Sequence, residues 1–259
     1  MPTSHDGPTY DPAHFAHLFS VEQRHAWFRA RNELIGEIAS GLVTDAGDGY
    51  RVLEVGCGTG GVLRTLEQAC ARGRVIGMDS FAEGLRFARQ RTGCQLVVGD
   101  ANHPPFGREF SLVGMFDVLE HLPDDRGVLA RMGEILLPGG ALMLTVPADP
   151  ALWSYFDEAS NHQRRYDAAD LRDKLEAAGF AVEYVTHFMT ALTPMLRTYR
   201  RIAGLKNRSP EQAVARDLQI VPVVNDVMYR LLVREQRAIR ARKVLSGGTS
   251  ILAIARRRA

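Results

Sequence analysis

The sequence predicts an α/β fold: a doubly wound parallel sheet with helices on both faces. Three observations predict it. From position 51 to 188, short apolar runs alternate with amphipathic stretches of about ten residues, the rhythm of strand–helix–strand units. Runs such as VLEV (52–55) and LVV (96–98) are apolar on both sides, as strands covered on both faces are. A glycine-rich turn, Gly56-Cys57-Gly58-Thr59-Gly60-Gly61, stands where the first strand passes into its helix.

Each element follows from local pattern. Residues 1–20 carry Pro2, Gly7, Pro8 and Pro12 without a period and read as a mobile arm. Residues 21–42 place Trp27, Leu34, Ile35, Ile38 and Leu42 at helical spacing,. Strands are expected at 51–55, 74–78, 95–98, 110–116 and 141–146, the fifth introduced by the turn Pro138-Gly139-Gly140,. Helices are expected at 60–72, 82–91 and 124–136. A helix over 168–178 then leads to a sixth strand over 180–188. The rhythm breaks after 190. Two helices are expected, around 192–204 and 223–243, separated by Asn207-Arg208-Ser209-Pro210, and Ser250–Ala255 reads as a closing strand. The division is therefore 1–45 as arm and first helix, 46–190 as core, 191–247 as a basic helical insertion, and 248–259 as the closing strand. All belong to one domain, which a chain of 259 residues can form,.

Composition narrows the function classes. Hydrophobic residues make up 46% and charged residues 24%, which excludes a disordered chain or a fibre. No apolar run approaches the roughly 20 residues of a membrane-spanning helix, and the polar start is unlike a secretion signal. Cys57, Cys70 and Cys94 are odd in number and form no CxxC. They suggest a reducing, cytoplasmic setting and no cysteine zinc site. The net charge of +2 conceals an asymmetry: residues 1–190 sum to −9 and residues 191–259 to +11. The C-terminal part is expected to meet something anionic, to pack against the acidic part, or to present solvated arginine-rich helices.

The glycine turn fits both GxGxG and GxGxxG, a pattern that serves a dinucleotide, a nucleoside or only a tight turn. Two acids add information. Asp79 ends strand two about 20 residues on, where a carboxylate can accept from ribose hydroxyls. Asp100 ends strand three in VVGDA (97–101). It lies outside the dinucleotide fingerprint and suits an adenine amino group.

LEVGCGTG (53–60), VIGMDS (75–80), VVGDA (97–101), FDVLEHLPDD (116–125) and LLPGGALMLTVP (136–147) together resemble the successive motifs of class I S-adenosylmethionine-dependent methyltransferases. The resemblance spans about 50–190. It implies a Rossmann-like seven-stranded sheet whose seventh strand is antiparallel, with S-adenosylmethionine as cofactor and S-adenosylhomocysteine as product. It places Gly56, Cys57, Gly58 and Gly60 under the methionine part and Glu54 on the amino group. Asp79 and Ser80 fall at the ribose, Asp100 and Ala101 at the adenine, and Phe116 and Asp117 near the sulfonium. A positively charged sulfonium explains an acidic pocket.

Methyl transfer is an in-line displacement in which the protein aligns the nucleophile and, where needed, removes a proton. Candidate groups should stand on loops beyond the C-terminal strand ends. Asp117, Glu120 and His121 follow strand four. Trp153, Tyr155, Phe156 and Asp157, then His162, Arg164, Arg165 and Tyr166, follow strand five. His162, Asp157 and His121 are the catalytic candidates. Trp27, Trp153, Tyr155, Phe156, Arg165 and Tyr166 are the candidate walls of an aromatic or lipid-like acceptor site. The arginine pair would bind an anionic substrate or pair with Asp157 and Glu158, and Asp167 would cap the next helix.

The DxxEH stretch (117–121) further resembles the ExxEH segment of ubiquinone-biosynthesis O-methyltransferases and small-RNA 2′-O-methyltransferases, with Asp in place of the first Glu. That resemblance implies Asp117, Glu120, His121 and the later His162 as ligands of Mg²⁺ or a similar divalent ion. His162 is otherwise a general base without metal, or structural. The HxWFxxR-like start at His25 resembles related bacterial methyltransferases and implies a lid helix, joined by Tyr10, Phe15 and Phe19. Trp27 and Phe28 are otherwise the helix's buried face. The basic insertion would cover the acceptor, form a homodimer contact or rest peripherally on a membrane. Nucleic acid is disfavoured because no aromatic-interleaved basic strand is present. The expected activity is methyl transfer to oxygen or nitrogen of a small or lipid-like acceptor. The alternatives are a non-catalytic S-adenosylmethionine-binding scaffold and an NAD-dependent oxidoreductase.

Overall fold

Seven strands form a single sheet in the order β3-β2-β1-β4-β5-β7-β6. The strands are β1 (Arg51–Val55), β2 (Arg74–Asp79), β3 (Gln95–Val98), β4 (Phe110–Phe116), β5 (Leu136–Pro147), β6 (Phe180–Phe188) and β7 (Ser250–Arg257). β1 to β5 pair in parallel, while β7 runs antiparallel to both neighbours. This computed structural model describes residues 14–194, 198 and 219–258. The helices are α1 (His14–Val21), α2 (Ala26–Leu42), α3 (Gly61–Ala69), α4 (Ala82–Ala88), α5 (Asp125–Ile135), α6 (Tyr155–Ala159), α7 (Ala168–Ala177) and α8 (Pro222–Arg240).

The two-residue period of the strands divides the core. Val52, Leu112, Met143, Leu252 and Ile254 face one way and meet Ile35, Leu63 and Leu232 from α2, α3 and α8. Their neighbours Leu53, Val113, Leu142, Leu144 and Ala253 face the other way and meet Leu129, Met132, Leu171 and Leu175 from α5 and α7. Strands buried on both faces need two such layers, which is why their sequences read as unbroken apolar runs. The strand order reverses between β1 and β4, and the loops beyond these strand ends form the crevice where open α/β sheets bind ligands.

Several expectations are corrected. The helix expected over 21–42 begins only at Ala26, as α2, and Val21 instead ends a separate helix, α1. His25 between them has an extended backbone, and its Nδ1 accepts from Trp27 N at 3.3 Å, capping α2. Part of the expected mobile arm is therefore helical; residues 1–13, with Tyr10, lie outside the described residues. β5 begins five residues early. Leu136 already pairs with Phe110, and a shift of register beside it accommodates Pro138-Gly139-Gly140 within the strand. The helices expected over 60–72 and 82–91 stop at Ala69 and Ala88. Asp167 precedes α7 without a side-chain cap. The helix expected over 192–204, with Arg197, Arg200, Arg201, Lys206 and Arg208, lies almost wholly outside the described residues. The second insertion helix is present as α8.

Candidate active site

The glycine turn leaves β1 with Gly56, Gly58 and Gly60 at φ of 72°, 47° and 79°, the left-handed region that glycine enters without steric cost. Gly56 has a second constraint: a Cβ there would lie 2.4 Å from Val118 Cγ2. The amides of Gly56 and Cys57 both donate to Met78 O, at 2.7 and 3.1 Å, tying the turn to β2. Asp79 completes the cradle. Its Oδ2 accepts from Gly58 N at 2.7 Å and its Oδ1 from Phe81 N at 2.8 Å. Burial raises its pKa, and those two amide bonds oppose the rise.

Glu54 is buried one residue before the turn, and its Oε2 has no hydrogen-bond partner. Burial lifts its pKa far above the ordinary carboxylate range; Arg31 opposes the rise and Asp79 adds to it. Asp117 follows β4 at φ 57° and pairs with Arg31, which reaches across from α2. The Arg31 guanidinium lies over the Trp27 ring, 4.7 Å from its centroid. Asp100 Oδ1 accepts from both nitrogens of Asn102, each at 2.9 Å. Burial works against its ionisation, but Asn102 and His103 prevail and lower its pKa. Cys57, Ala101 and Phe116 are buried in the core, whereas Ser80 is exposed at the end of β2.

The covering element differs from the expected lid. Phe15 of α1 stands 6.0 Å from the Phe81 ring, and Phe19 stands 5.0 Å from that of Phe87. Glu22 pairs with both Arg91 and Thr59. Arg91 donates to Phe19 O at 2.6 Å. α1 is thus fastened over the glycine turn and α4. α2 contributes Arg31 to the site while Trp27 packs, half-buried, at the edge of the core.

A second cluster forms where the chain returns from β5. Ser154 and Asp157 make a reciprocal capping box at the start of α6, a signal legible as S-x-x-D but absent from the sequence-based reading. The wholly buried Asp157 then holds two more groups: His162 Nδ1 at 2.9 Å and Arg165 Nε at 2.7 Å, both on Oδ1. Its pKa is lowered. Burial alone would raise it, but the His162 and Arg165 contacts prevail. Gln163 N donates to Glu120 O at 2.8 Å, bringing this segment onto the turn after β4. His162 Nε2 lies 3.9 Å from Glu120 Oε1, and the His121 and His162 rings stand edge to face at 4.8 Å. Burial and His162 push His121 down to about 3. Burial, with Asp117 adding, pushes Glu120 far up.

This geometry sorts the candidates. Glu120, His121 and His162 offer ligand atoms within 4.8 Å of one another. Asp117 does not join that group, because Arg31 holds its carboxylate. Tyr166 is no substrate wall: it is fully buried, and its hydroxyl donates to Asp125 Oδ2 at 3.0 Å. Arg165 is likewise committed inward, to Asp157 and to Ala148 O. Glu158 does not take part in the arginine pairing. Arg164 instead reaches Asp125 at 3.0 Å and the carbonyls of Leu122 and Pro123. Tyr155 and Phe156 are half-buried, and Trp153 is exposed. Arg31 was missed as a site residue. Its signal was a cation four positions after Trp27 on one helix,.

A seven-stranded mixed sheet of order 3-2-1-4-5-7-6 with its last strand antiparallel, and a glycine cradle ringed by acids at its switch point, define a class I S-adenosylmethionine-dependent methyltransferase fold. Residues 20–185 match the family described as methyltransferase domain, and the chain belongs to that family. It is 38% identical over 108 residues to the aklanonic acid methyltransferase DauC of a Streptomyces species, a match covering 38% of this chain and 49% of the relative. It is 26% identical over 212 residues to the O-methyltransferase cnsE of Penicillium expansum, covering 76% and 75%. A fatty-acid O-methyltransferase of Mycolicibacterium smegmatis is 33% identical over 102 residues, covering 38% and 37%. The chain spans about half the length, or less, of the first curated relatives it matches. Among solved structures, a Haloferax volcanii protein in complex with the Trm112 methyltransferase activator superposes with a TM-score of 0.62 at 20% identity, over 95% of each chain. Phosphoethanolamine N-methyltransferase 2 of Haemonchus contortus, with S-adenosylmethionine, gives 0.52 at 18% identity, over 82% of this chain and 50% of that one. These likenesses concern the fold.

Proposed function

We propose that this protein transfers the methyl group of S-adenosylmethionine to an oxygen or nitrogen of a small or lipid-like acceptor. The observation that carries the reading is the set of buried or paired carboxylates around the glycine cradle. Glu54, buried with an unpartnered oxygen beside the glycine turn, suits the ammonium of such a ligand. Asp79 braces the turn through Gly58 and Phe81 and offers its remaining lone pairs to ribose hydroxyls.

In this reading Asp157 positions His162. An ionised Asp157 accepts from Nδ1–H, so Nε2 carries the lone pair and faces the turn after β4. The acceptor oxygen attacks the methyl carbon in line with the sulfonium. The new O–C bond forms as the S–C bond breaks, the sulfide leaves neutral, and Nε2 takes the acceptor's proton. Calorimetry with S-adenosylhomocysteine tests the donor site, and labelled-methyl transfer to fatty acids, phenols and prenyl diphosphates tests the acceptor class. His162→Ala is expected to lower turnover by roughly 10²–10⁴-fold with donor affinity unchanged. No binding of donor or product at millimolar concentration overturns the reading.

A second reading has one specific observation behind it. Both oxygens of wholly buried Glu120 lack a hydrogen-bond partner, beside two imidazoles within ligand reach. One carboxylate and two imidazoles fit Zn²⁺ or Mn²⁺ better than Mg²⁺, which prefers oxygen. Such an ion would act as a Lewis acid on the acceptor oxygen. Under this reading Glu120→Gln abolishes metal uptake measured by elemental analysis, and chelator-treated enzyme regains activity with Mn²⁺ or Zn²⁺. Full activity of metal-free enzyme leaves His162 as the base.

A further inference from the structure

We propose that the outward face of α8 is a docking surface for an anionic lipid bilayer. At 100° per residue, the helix turns Asn225, Leu232, Gln236 and Ile239 inward, where all four are buried,. Three of its polar side chains fasten it to α2. Asn225 accepts from Ala26 N at 2.7 Å and donates to Arg24 O at 3.0 Å, Gln236 donates to Ala30 O at 2.6 Å, and Arg240 pairs with Glu37.

The opposite face mixes two kinds of side chain that seldom share open water. Val223, Val224, Val227 and Leu231 are 75%, 51%, 52% and 42% exposed, and their spacing aligns them along the helix. Arg230, Arg234 and Arg237 run beside them, and among the described residues no carboxylate pairs with any of the three. The exposed Lys243 and Val244 follow the helix end, while Arg242 turns back over the Tyr184 ring, 5.1 Å from its centroid. A helix of this composition lies in the plane of an interface, its apolar side chains entering the headgroup boundary and its cations meeting lipid phosphates. No described helix is long and apolar enough to cross a membrane.

Charge selects the bilayer over other occupants. A two-fold dimer through this face would set three arginines against three arginines, with Asp226 as the sole acid on the outward side of α8,. Residues 195–218 carry six Lys+Arg and two Asp+Glu, so they too would bring like charge to the patch. Nucleic acid would satisfy the arginines but leave the valines and Leu231 in water, and no aromatic side chain on this outward stripe is available to stack on bases. The surface does not depend on the methyl-transfer reading.

The test is co-sedimentation of the full chain with vesicles of equimolar phosphatidylglycerol and phosphatidylcholine, against phosphatidylcholine alone. Binding is expected only to the anionic vesicles at about 0.05 M salt, weakening strongly by about 0.5 M. The triple variant Arg230→Gln/Arg234→Gln/Arg237→Gln should lower partitioning by roughly a hundredfold. Val227→Asp should weaken it independently and leaves the cations intact if the triple variant misfolds. Binding of S-adenosylhomocysteine by each variant reports an intact fold, and its absence in the parent chain would overturn the methyl-transfer reading without touching this one. Several results overturn the proposal: no sedimentation with anionic vesicles at low salt, equal binding to phosphatidylcholine, or indifference to the triple variant. A dimer lost in Val227→Asp, or RNA binding lost in the triple variant, without vesicle binding, reassigns the face.

Discussion

Asp157 Oδ1, within the short helix α6, stands 2.9 Å from His162 Nδ1, five residues further on. The same carboxylate caps α6 and pairs with Arg165. Its folded-state pKa is depressed, so its contribution to stability is complete above the unfolded value near 4 and lost as pH falls through the folded one. Asp157→Ala strands a buried guanidinium and is expected to cost about 3–5 kcal/mol at neutral pH. Urea unfolding at pH 7 and again at about pH 3 checks this. The gap between parent and variant must narrow in acid, and a constant gap contradicts the account.

Glu54 carries the opposite sign. Its pKa is raised by burial, so the folded chain holds a proton that the unfolded chain releases. Stability from this group is complete below about pH 4.5 and lost as pH rises toward the folded value. Glu54→Gln should therefore be the more stable protein without ligand, with an advantage that grows as pH rises. Its affinity for S-adenosylhomocysteine should fall at least tenfold, because the amino group loses its carboxylate. Thermal shifts from pH 5 to 8, with and without the product, separate the two effects.

Gly56→Ala meets two obstacles, a φ of 72° and Val118 Cγ2 at 2.4 Å from the new methyl carbon. Loss of roughly 1–3 kcal/mol is expected. The double variant with Val118→Ala should recover the steric share but not the backbone share. Denaturant titration of the three variants decides whether that recovery occurs.

Asp79→Asn preserves shape but replaces one acceptor with an amide donor. One of the amides of Gly58 and Phe81 then faces a donor, and the turn loosens by about 1–3 kcal/mol. Calorimetry should show product affinity reduced at least tenfold. Unchanged affinity would mean that Asp79 does not reach the ligand.

Much of the fold was legible because strands buried on both faces, such as β1 and β4, leave unbroken apolar runs; the edge strands β3 and β6 also keep the bounds their sequences suggested, although the LVV run of β3, expected to be covered on both faces, leaves Val98 60% exposed. The donor cradle was legible because glycine and acid positions are fixed by backbone geometry. What escaped notice depends on contacts distant in sequence. Arg31 meets Asp117 across 86 positions, and no local period reports that. Tyr166 looked like a pocket aromatic because its neighbours are polar, yet its hydroxyl has a buried partner in Asp125. The break between α1 and α2 was hidden because Glu22-Gln23-Arg24-His25 carries no Pro or Gly to mark it, and the cap comes from a histidine rather than from Ser, Thr, Asp or Asn,.

β7 has a consequence for synthesis. It follows every other strand in the chain, yet it lies inside the sheet, bonded to β5 on one edge and to β6 on the other. β6 leaves the ribosome about 60 residues ahead of its only neighbour. Until Ser250–Arg257 emerges, the free edge of β5 and the whole of β6 expose unpaired backbone, the kind of edge that recruits other chains. A nascent chain stalled before Ser250 would carry a nearly complete donor cradle on a sheet that cannot close. Emergence of Ser250–Arg257, rather than assembly of the glycine turn, is then the step that closes the sheet and removes those edges,.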